Sequence, residues 1–355
     1  IVVNCATLVK HETELTPLAV VSEPGVKPET KLCGGFGGFG GLGGLGGFRG
    51  VGLFPGRFGL QDRPLVGLLA QEYWHTGSVN QSYIAASYVK YLESAGARVV
   101  PVMINETDDY YKQIIAKTNG LLIPGGGQDL HTSGFANAGA LLLKYAHANA
   151  TRRYPIWTTC LGFELVSLLM SKIPEMGSCD TNDIALTLNM TTDFKTSRMF
   201  ANADPSIIEI LQKEPATYNH HIKCLTMDQY NSSPELKSEF KILSTNTDPK
   251  GVEFVSTWES LSPERPIYGV QWHPEKNSYE FDAHKGIPHT ANAVRVGQYL
   301  ADFFVNECRK VWTPAISQKD EMNMLIYNYQ PQYTASKTGK PYTYEQIYVF
   351  NVTQH

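Results

Sequence analysis

No apolar run in this chain approaches the roughly 20 residues needed to cross a bilayer. Basic residues are scattered: 30 Lys and Arg against 34 Asp and Glu leave a net charge of -4. There is no sustained basic patch to hold a nucleic-acid backbone. No cysteine pair has C-x-x-C spacing, so no metal is expected. The glycine turn at Gly125-Gly126-Gly127 lacks the Lys-Ser/Thr ending of a phosphate loop, and no GxGxxG opens a helix there. No organic cofactor is expected either.

Against these absences stands one cysteine in an informative setting. Tyr154-Pro155-Ile156-Trp157-Thr158-Thr159-Cys160-Leu161-Gly162-Phe163-Glu164 reads as a short buried strand running into a helix, with Cys160 at the turn. A thiol there lies near the positive end of a helix dipole and free backbone N–H groups, which favours its thiolate. Such a turn also pushes the side chain clear of the sheet. Gly162 lets the helix start close to neighbouring backbone. Taken alone, a cysteine at a strand end is more often a small buried apolar residue; the partners further along reverse that.

The first partner is Gly269-Val270-Gln271-Trp272-His273-Pro274-Glu275. His273 comes at the end of a strand expected over 267–272, with Glu275 two residues on. In extended backbone these two side chains point the same way, so the carboxylate reaches one imidazole nitrogen while the other faces a thiol. That is the nucleophile, base and orienter logic of covalent acyl transfer. The second partner is Gly120-Leu121-Leu122-Ile123-Pro124-Gly125-Gly126-Gly127. An apolar strand enters a glycine turn able to offer backbone N–H groups to a developing oxyanion.

A PGG loop, a C-x-G elbow and Q-W-H-P-E, in this order and at these distances, resemble the class I glutamine amidotransferase superfamily. Within it the match is to the gamma-glutamyl hydrolase family, peptidase family C26. Residues 83–102, Thr159-Cys160-Leu161-Gly162-Phe163-Glu164, Ser197-Arg198-Met199-Phe200, Thr245-Asn246-Thr247-Asp248 and Phe303-Phe304-Val305-Asn306-Glu307 are similar to that family. The resemblance runs from about Arg63 to the C-terminus. It implies a cysteine hydrolase that cleaves γ-glutamyl amides, folylpoly-γ-glutamates in particular, through a thioester on Cys160. His273 would be the base, Glu275 its orienter, and the N–H groups of Gly126 and Leu161 the oxyanion hole. His220 would be a second pocket histidine, with Glu164 and Tyr88 near the substrate. A homodimer is implied by resemblance alone. Two other uses are open: a glutaminase passing ammonia to a synthetase, and a matrix component in which the hydrolase domain is a scaffold.

Six N-x-S/T sequons, at Asn80, Asn105, Asn149, Asn189, Asn231 and Asn351, are dense for a cytosolic chain. Asn80 opens the first expected helix near the pocket, which argues against its glycosylation. The N-terminus, Ile1 to Ala6, reads as a signal-peptide remnant or as a mature or truncated end. The family resemblance implies the secretory pathway: lysosome, vacuole or extracellular space. Besides Cys160, the cysteines are Cys5, Cys33, Cys179, Cys224 and Cys308, an odd set that cannot all pair within one chain.

Residues 1–62 carry a Gly-Gly-apolar triplet repeat between Gly34 and Phe48, too sparse in apolar side chains to repay its ordering entropy. It reads as a disordered tail, either neutral or serving self-association or matrix attachment. Residues 63–355 form the catalytic domain. Strands are expected at 65–69, 98–104, 121–123, 184–188, 241–244, 252–257 and 267–272. Helices are expected at 82–94, 108–117, 138–149 and 291–310. This alternation predicts an α/β fold of three layers: a mostly parallel central sheet with helices on both faces, flavodoxin-like. Residues 316–355 are expected as a surface extension, with the tyrosine-rich stretch 327–350 as an added strand.

Overall fold

The computed structural model describes residues 62–73, 81–148, 152–314, 316–336 and 338–351. The Gly-rich segment, Asn80 and Asn149 lie outside them. The first half runs β1 (Leu65–Leu69), β2 (Gln71–Glu72), β3 (Gln81–Ala85), α1 (Ala86–Ser94), β4 (Arg98–Val102), α2 (Asp108–Lys117), β5 (Gly120–Ile123), α3 (Gly134–Ala148), β6 (Ile156–Thr159) and α4 (Leu161–Leu169). There follow β7 (Gly177–Leu186), β8 (Asn189–Met190), α5 (Pro205–Lys213), β9 (Thr217–Cys224), α6 (Met227–Ser232), α7 (Pro234–Glu239), β10 (Phe240–Thr247) and β11 (Glu253–Ser260). The chain ends with β12 (Ile267–Val270), α8 (Lys276–Tyr279), α9 (Ala291–Arg309), α10 (Gln318–Met324), β13 (Gln332–Tyr333) and β14 (Gln346–Asn351).

Eight strands form the central sheet in the order β4-β1-β5-β6-β12-β11-β10-β8. The run from β4 to β12 is parallel, and β11, β10 and β8 add antiparallel pairings at the far edge. Alternate residues of a strand face opposite layers, and the core divides accordingly. Val66 and Leu68 join one cluster with Tyr88 and Leu92 of α1 and Val296, Leu300 and Phe304 of α9. Leu65 and Leu69 join another with Ile114 of α2, Leu142 of α3 and Phe163 and Val166 of α4. Strands buried on both faces need near-continuous apolar sequence, which is what Leu65–Leu69 supplies.

The helices begin where polar caps stand. Thr107 accepts from the Tyr110 N–H, with Asp108 and Asp109 in the first turn of α2. Thr290 accepts from Ala293 at the start of α9. Each fully buried Leu or Phe of α9 contributes about 1.5–3 kcal/mol.

Several sequence expectations change: α3 begins at Gly134 and not at 138, and β4 ends at Val102 and not at 104. Residues 82–85 are strand, because β3 pairs with β14, and α1 starts only at Ala86. The expected strand at 184–188 is the end of a longer β7 that leaves the central sheet and pairs with β9 as a separate arm. The C-terminal segment is an added strand, in a four-stranded sheet with β13, β3 and β2. It is not merely superficial, since Ile326, Ile347 and Phe350 are buried in the first core cluster.

Candidate active site

β6 delivers Cys160 to the carboxyl edge of the sheet, where open α/β sheets hold their ligands. Cys160 has φ 49° and ψ -108°, a conformation costly for a residue with a side chain, on the order of 1–3 kcal/mol. Its neighbours enforce it. The Cys160 N–H donates to the Val270 carbonyl at 2.9 Å, and its own carbonyl accepts from Glu164 at 2.9 Å, the first turn of α4. The Gly162 N–H donates to Pro124 at 3.1 Å. A Cβ at Gly162 would stand 2.2 Å from the Ile123 carbonyl oxygen, so only glycine lets α4 begin this close to β5.

β12 ends at Val270, shorter than expected, and the chain then turns. The His273 N–H is held by the Tyr218 carbonyl of β9 at 2.8 Å. His273 Nδ1 lies 2.7 Å from Glu275 Oε1. The reason differs from the strand geometry read in the sequence. Glu275 is helical (φ -70°, ψ -24°) and caps α8, so a turn folds the carboxylate back onto the ring. With Nδ1 donating to Glu275, Nε2 is left with a lone pair.

A single glycine measures how near the elbow comes to this histidine. A Cβ built on Gly125 would lie 2.7 Å from His273 Cε1 and 3.1 Å from Cys160 Cβ, so the sum of these bounds their separation. The same point is 2.8 Å from the Tyr88 hydroxyl. Tyr88 is buried and accepts from the Gly125 N–H at 2.8 Å, beside His273 and Glu275. Neither Tyr88 nor His273 lines the cleft itself, and Tyr88 fixes the glycine loop against the histidine.

Electrostatics keep the resting pair neutral. Burial pushes the Cys160 thiol well above its ordinary range, with Glu164 adding to the effect and Lys276 opposing it. Burial, then Lys276 and Lys285, holds His273 well below the usual histidine range. The thiolate favoured by the helix dipole is therefore outweighed by desolvation. Ions form here only as a pair, when the proton passes from sulfur to nitrogen with the Glu275 carboxylate behind it. Burial pushes Glu275 up to about 7, against the pull of Lys276. Lys276 is itself buried, its ammonium over the rings of Tyr218 at 5.6 Å and Tyr344 at 5.4 Å.

Cys160 opens onto a cleft of about 590 Å³ that is also lined by Gly126, Leu161, Glu164, His220 and Lys223. Of the expected oxyanion donors, the Leu161 N–H lies against the sulfur at the start of α4. Gly126 follows the Gly125 carbonyl, which is held by Gln71 Nε2 at 2.9 Å. Glu164 accepts from Gln271 Nε2 at 2.9 Å, and burial pushes it up to about 8. Burial thus favours its protonated form. His220 is stacked on Tyr218 and held neutral by burial, at about 4. The wall carrying His220 is the β7–β9 arm, stapled by a Cys179–Cys224 disulfide that cysteine counting left open. Cys160 and Cys308 are free thiols.

Sequence reasoning missed Gln71, Gln271, Lys276 and Lys223. Gln271 and Lys276 flank the H-P-E run and were open to notice. Gln71 carried no signal, because its role is set by a loop 54 residues away.

The Peptidase C26 family model matches residues 64–275. The chain is 42% identical over 293 residues to gamma-glutamyl hydrolase of Homo sapiens, covering 81% of this chain and 90% of that one. It is 35% identical over 302 residues to gamma-glutamyl hydrolase B of Dictyostelium discoideum, covering 83% and 85%. It is 32% identical over 299 residues to gamma-glutamyl hydrolase 1 of Arabidopsis thaliana, covering 82% and 84%.

Proposed function

This chain belongs to the peptidase C26 family, and we infer from that premise that it is a cysteine hydrolase that cleaves γ-glutamyl bonds. One observation carries the mechanism: a cysteine on a strained elbow, brought up beside Gly125 together with a histidine whose Nδ1 is held by Glu275. The Cys160 sulfur attacks the γ-carbonyl carbon of a glutamate linked through its side chain, and its proton passes to His273 Nε2. The N–H groups of Gly126 and Leu161 receive the oxyanion, each worth about 3 kcal/mol. Collapse breaks the C–N bond, and His273 returns the proton to the leaving amine. Water then attacks the thioester with His273 as base, releasing the γ-carboxylate and the thiol.

Folylpoly-γ-glutamates are the substrates we assign. The name shared by the relatives supports the bond type, and a cleft of about 590 Å³ accommodates more than one glutamyl unit. Protonated Glu164 and the ammonium of Lys223 suit carboxylates on the chain. The Cys179–Cys224 disulfide supports an oxidising compartment. Asn105, Asn189, Asn231 and Asn351 are all exposed, as sequons in use must be. We therefore place the protein in the secretory pathway, in lysosome, vacuole or extracellular space. A homodimer rests on family resemblance, and matrix attachment on the Gly-rich segment outside the described residues.

The test is incubation with pteroylpenta-γ-glutamate and with free glutamine, followed by chromatography. Shortened pteroylglutamates with no ammonia from glutamine are expected. Ammonia release with an intact polyglutamate would favour the glutaminase reading.

A further inference from the structure

Two buried side chains grip the glycine loop beside Cys160 at a single residue. The Gly125 N–H donates to the Tyr88 hydroxyl at 2.8 Å, and the Gly125 carbonyl accepts from Gln71 Nε2 at 2.9 Å. Gln71 is 1% exposed and pairs with Tyr83 of β3. The other residue of β2 holds the loop again, where the Glu72 carbonyl accepts from Gln128 Nε2 at 3.0 Å.

Among the described residues no peptide bond is cis. The C=O and N–H of the peptide joining Gly125 to Gly126 therefore point in opposite directions. With the carbonyl drawn to Gln71, the Gly126 N–H is turned the other way. Gly126 lines the cleft with Cys160 and Leu161, whereas Gln71 does not. The hydrogen bond on the Gly125 carbonyl thus sets which way the Gly126 donor faces.

The Gln71 amide is also packed on the loop. A Cβ on Gly126 would stand 1.8 Å from Gln71 Oε1, so the amide fills the space a side chain would need. Gly126 lies outside the left-handed region, so Gln71 and not a φ angle demands glycine here. Oε1 has no hydrogen-bond partner among the described residues. A buried acceptor without a partner costs stability, so what the amide contributes at this position is its donor.

We propose that Gln71 is a positioning residue for the oxyanion hole: by holding the Gly125 carbonyl it keeps the Gly126 N–H turned to the cleft before substrate arrives. The inference rests on the reading of Cys160 as nucleophile and Gly126 as oxyanion donor. Without Gln71 a peptide between two glycines meets little resistance to rotation. The hole then has to be assembled during the reaction, and the advantage of a preorganised donor is lost.

The experiment applies two probes of Cys160 to the wild-type enzyme and to Gln71→Met, which keeps the side chain's bulk and removes its donor. A γ-glutamyl aldehyde reports on the hole: the sulfur adds to the aldehyde carbon, its proton passes to His273, and the former carbonyl oxygen becomes the anion. Iodoacetamide reports on the thiol and its base alone, because displacement of iodide from a saturated carbon forms no oxyanion. In Gln71→Met, kcat and aldehyde affinity should each fall about 100-fold, while KM and the rate of Cys160 alkylation stay within about threefold. Wild-type aldehyde affinity in a folded Gln71→Met overturns the proposal, and so does a loss of alkylation in step with it. Gly126→Ala reaches the same contact from the loop and should reproduce the split, which keeps the test decisive if Gln71→Met does not fold; wild-type aldehyde affinity in Gly126→Ala overturns the proposal equally. A wild-type enzyme that neither cleaves a γ-glutamyl amide nor binds the aldehyde overturns the hydrolase reading and this inference together, whereas an active wild type with an unaffected variant overturns the inference alone.

Discussion

Lys276 is the residue whose charge matters most to the catalytic pair without taking part in bond making. It follows Glu275 in the chain, is buried, and sits between two tyrosine rings. Glu275 is further surrounded by His273, Glu280, Cys160 and the hydroxyls of Tyr88, Tyr91 and Tyr344. A cation here adds to burial in keeping His273 unprotonated and opposes burial in favour of an ionised Glu275. Lys276→Met removes it, so both pKa values rise. Base catalysis needs the neutral imidazole and the charged carboxylate, so the acid limb of kcat/KM should move to higher pH. The pH–rate profile of the variant against wild type checks this, with Lys276→Arg restoring the limb. An unmoved limb, in a variant with wild-type thermal stability, would mean that Lys276 is a packing residue only.

At the scale of elements, the β7–β9 arm is the part of the site with the least core behind it. It carries Asn182, His220 and Lys223 into the cleft, yet its small apolar cluster is Cys179, Cys224 and Phe254 with Leu186 and Val252 beside them. Its disulfide closes a separation of 45 residues. Replacing both cysteines by serine should lower stability by about 2–4 kcal/mol and raise KM more than it lowers kcat, because the arm frames the substrate and not the nucleophile. Urea unfolding and steady-state kinetics on the double variant test the pair of effects. A kcat loss at unchanged KM would argue against this division. The arm also shows why parts of the fold were hidden in the sequence. Helix 108–117 and strand 65–69 were legible because caps and apolar runs specify them locally. Thr217–Cys224 is a polar stretch whose strand character comes from its partner β7. Residues 82–85 were read as the start of the 82–94 helix, and the pairing that overrides this comes from β14, some 260 residues later. In the site, the elbow and the H-P-E run could be read from the chain, whereas the arm's staple and the Gln71 anchor are set by contacts between distant segments.

The whole molecule buries carboxyls and histidines with opposite effects on stability. Glu164 is raised to about 8, and Glu275 and Glu280 to about 7, all by burial first. The unfolded chain releases these protons near its ordinary value of 4.5, so the folded state binds more protons between 4.5 and 8, and stability falls as pH rises through that window. His147 and His220 are lowered to about 4 and His221 to about 3, again by burial. They cost stability as pH falls below 6.5. From pH 6.5 to 8 the histidine contribution fades while that of the carboxyls persists, so the melting temperature should decrease across that interval; a rise would contradict the burial of these groups. The family match begins at residue 64, and residues 1–61 lie outside the described structure. A chain beginning at Asp62 should therefore keep its turnover, while sedimentation should show the loss of any self-association. Failure of the shortened chain to fold or turn over would mean that the catalytic domain needs the Gly-rich segment. The central claim is that γ-glutamyl transfer passes through Cys160, and acid-quenched mass spectrometry during turnover of a γ-glutamyl peptide tests it most directly. The account predicts a γ-glutamyl mass increase on the peptide containing Cys160, absent from a folded and inactive Cys160→Ala enzyme. Undiminished hydrolysis by Cys160→Ala, or an adduct on another residue, would contradict it.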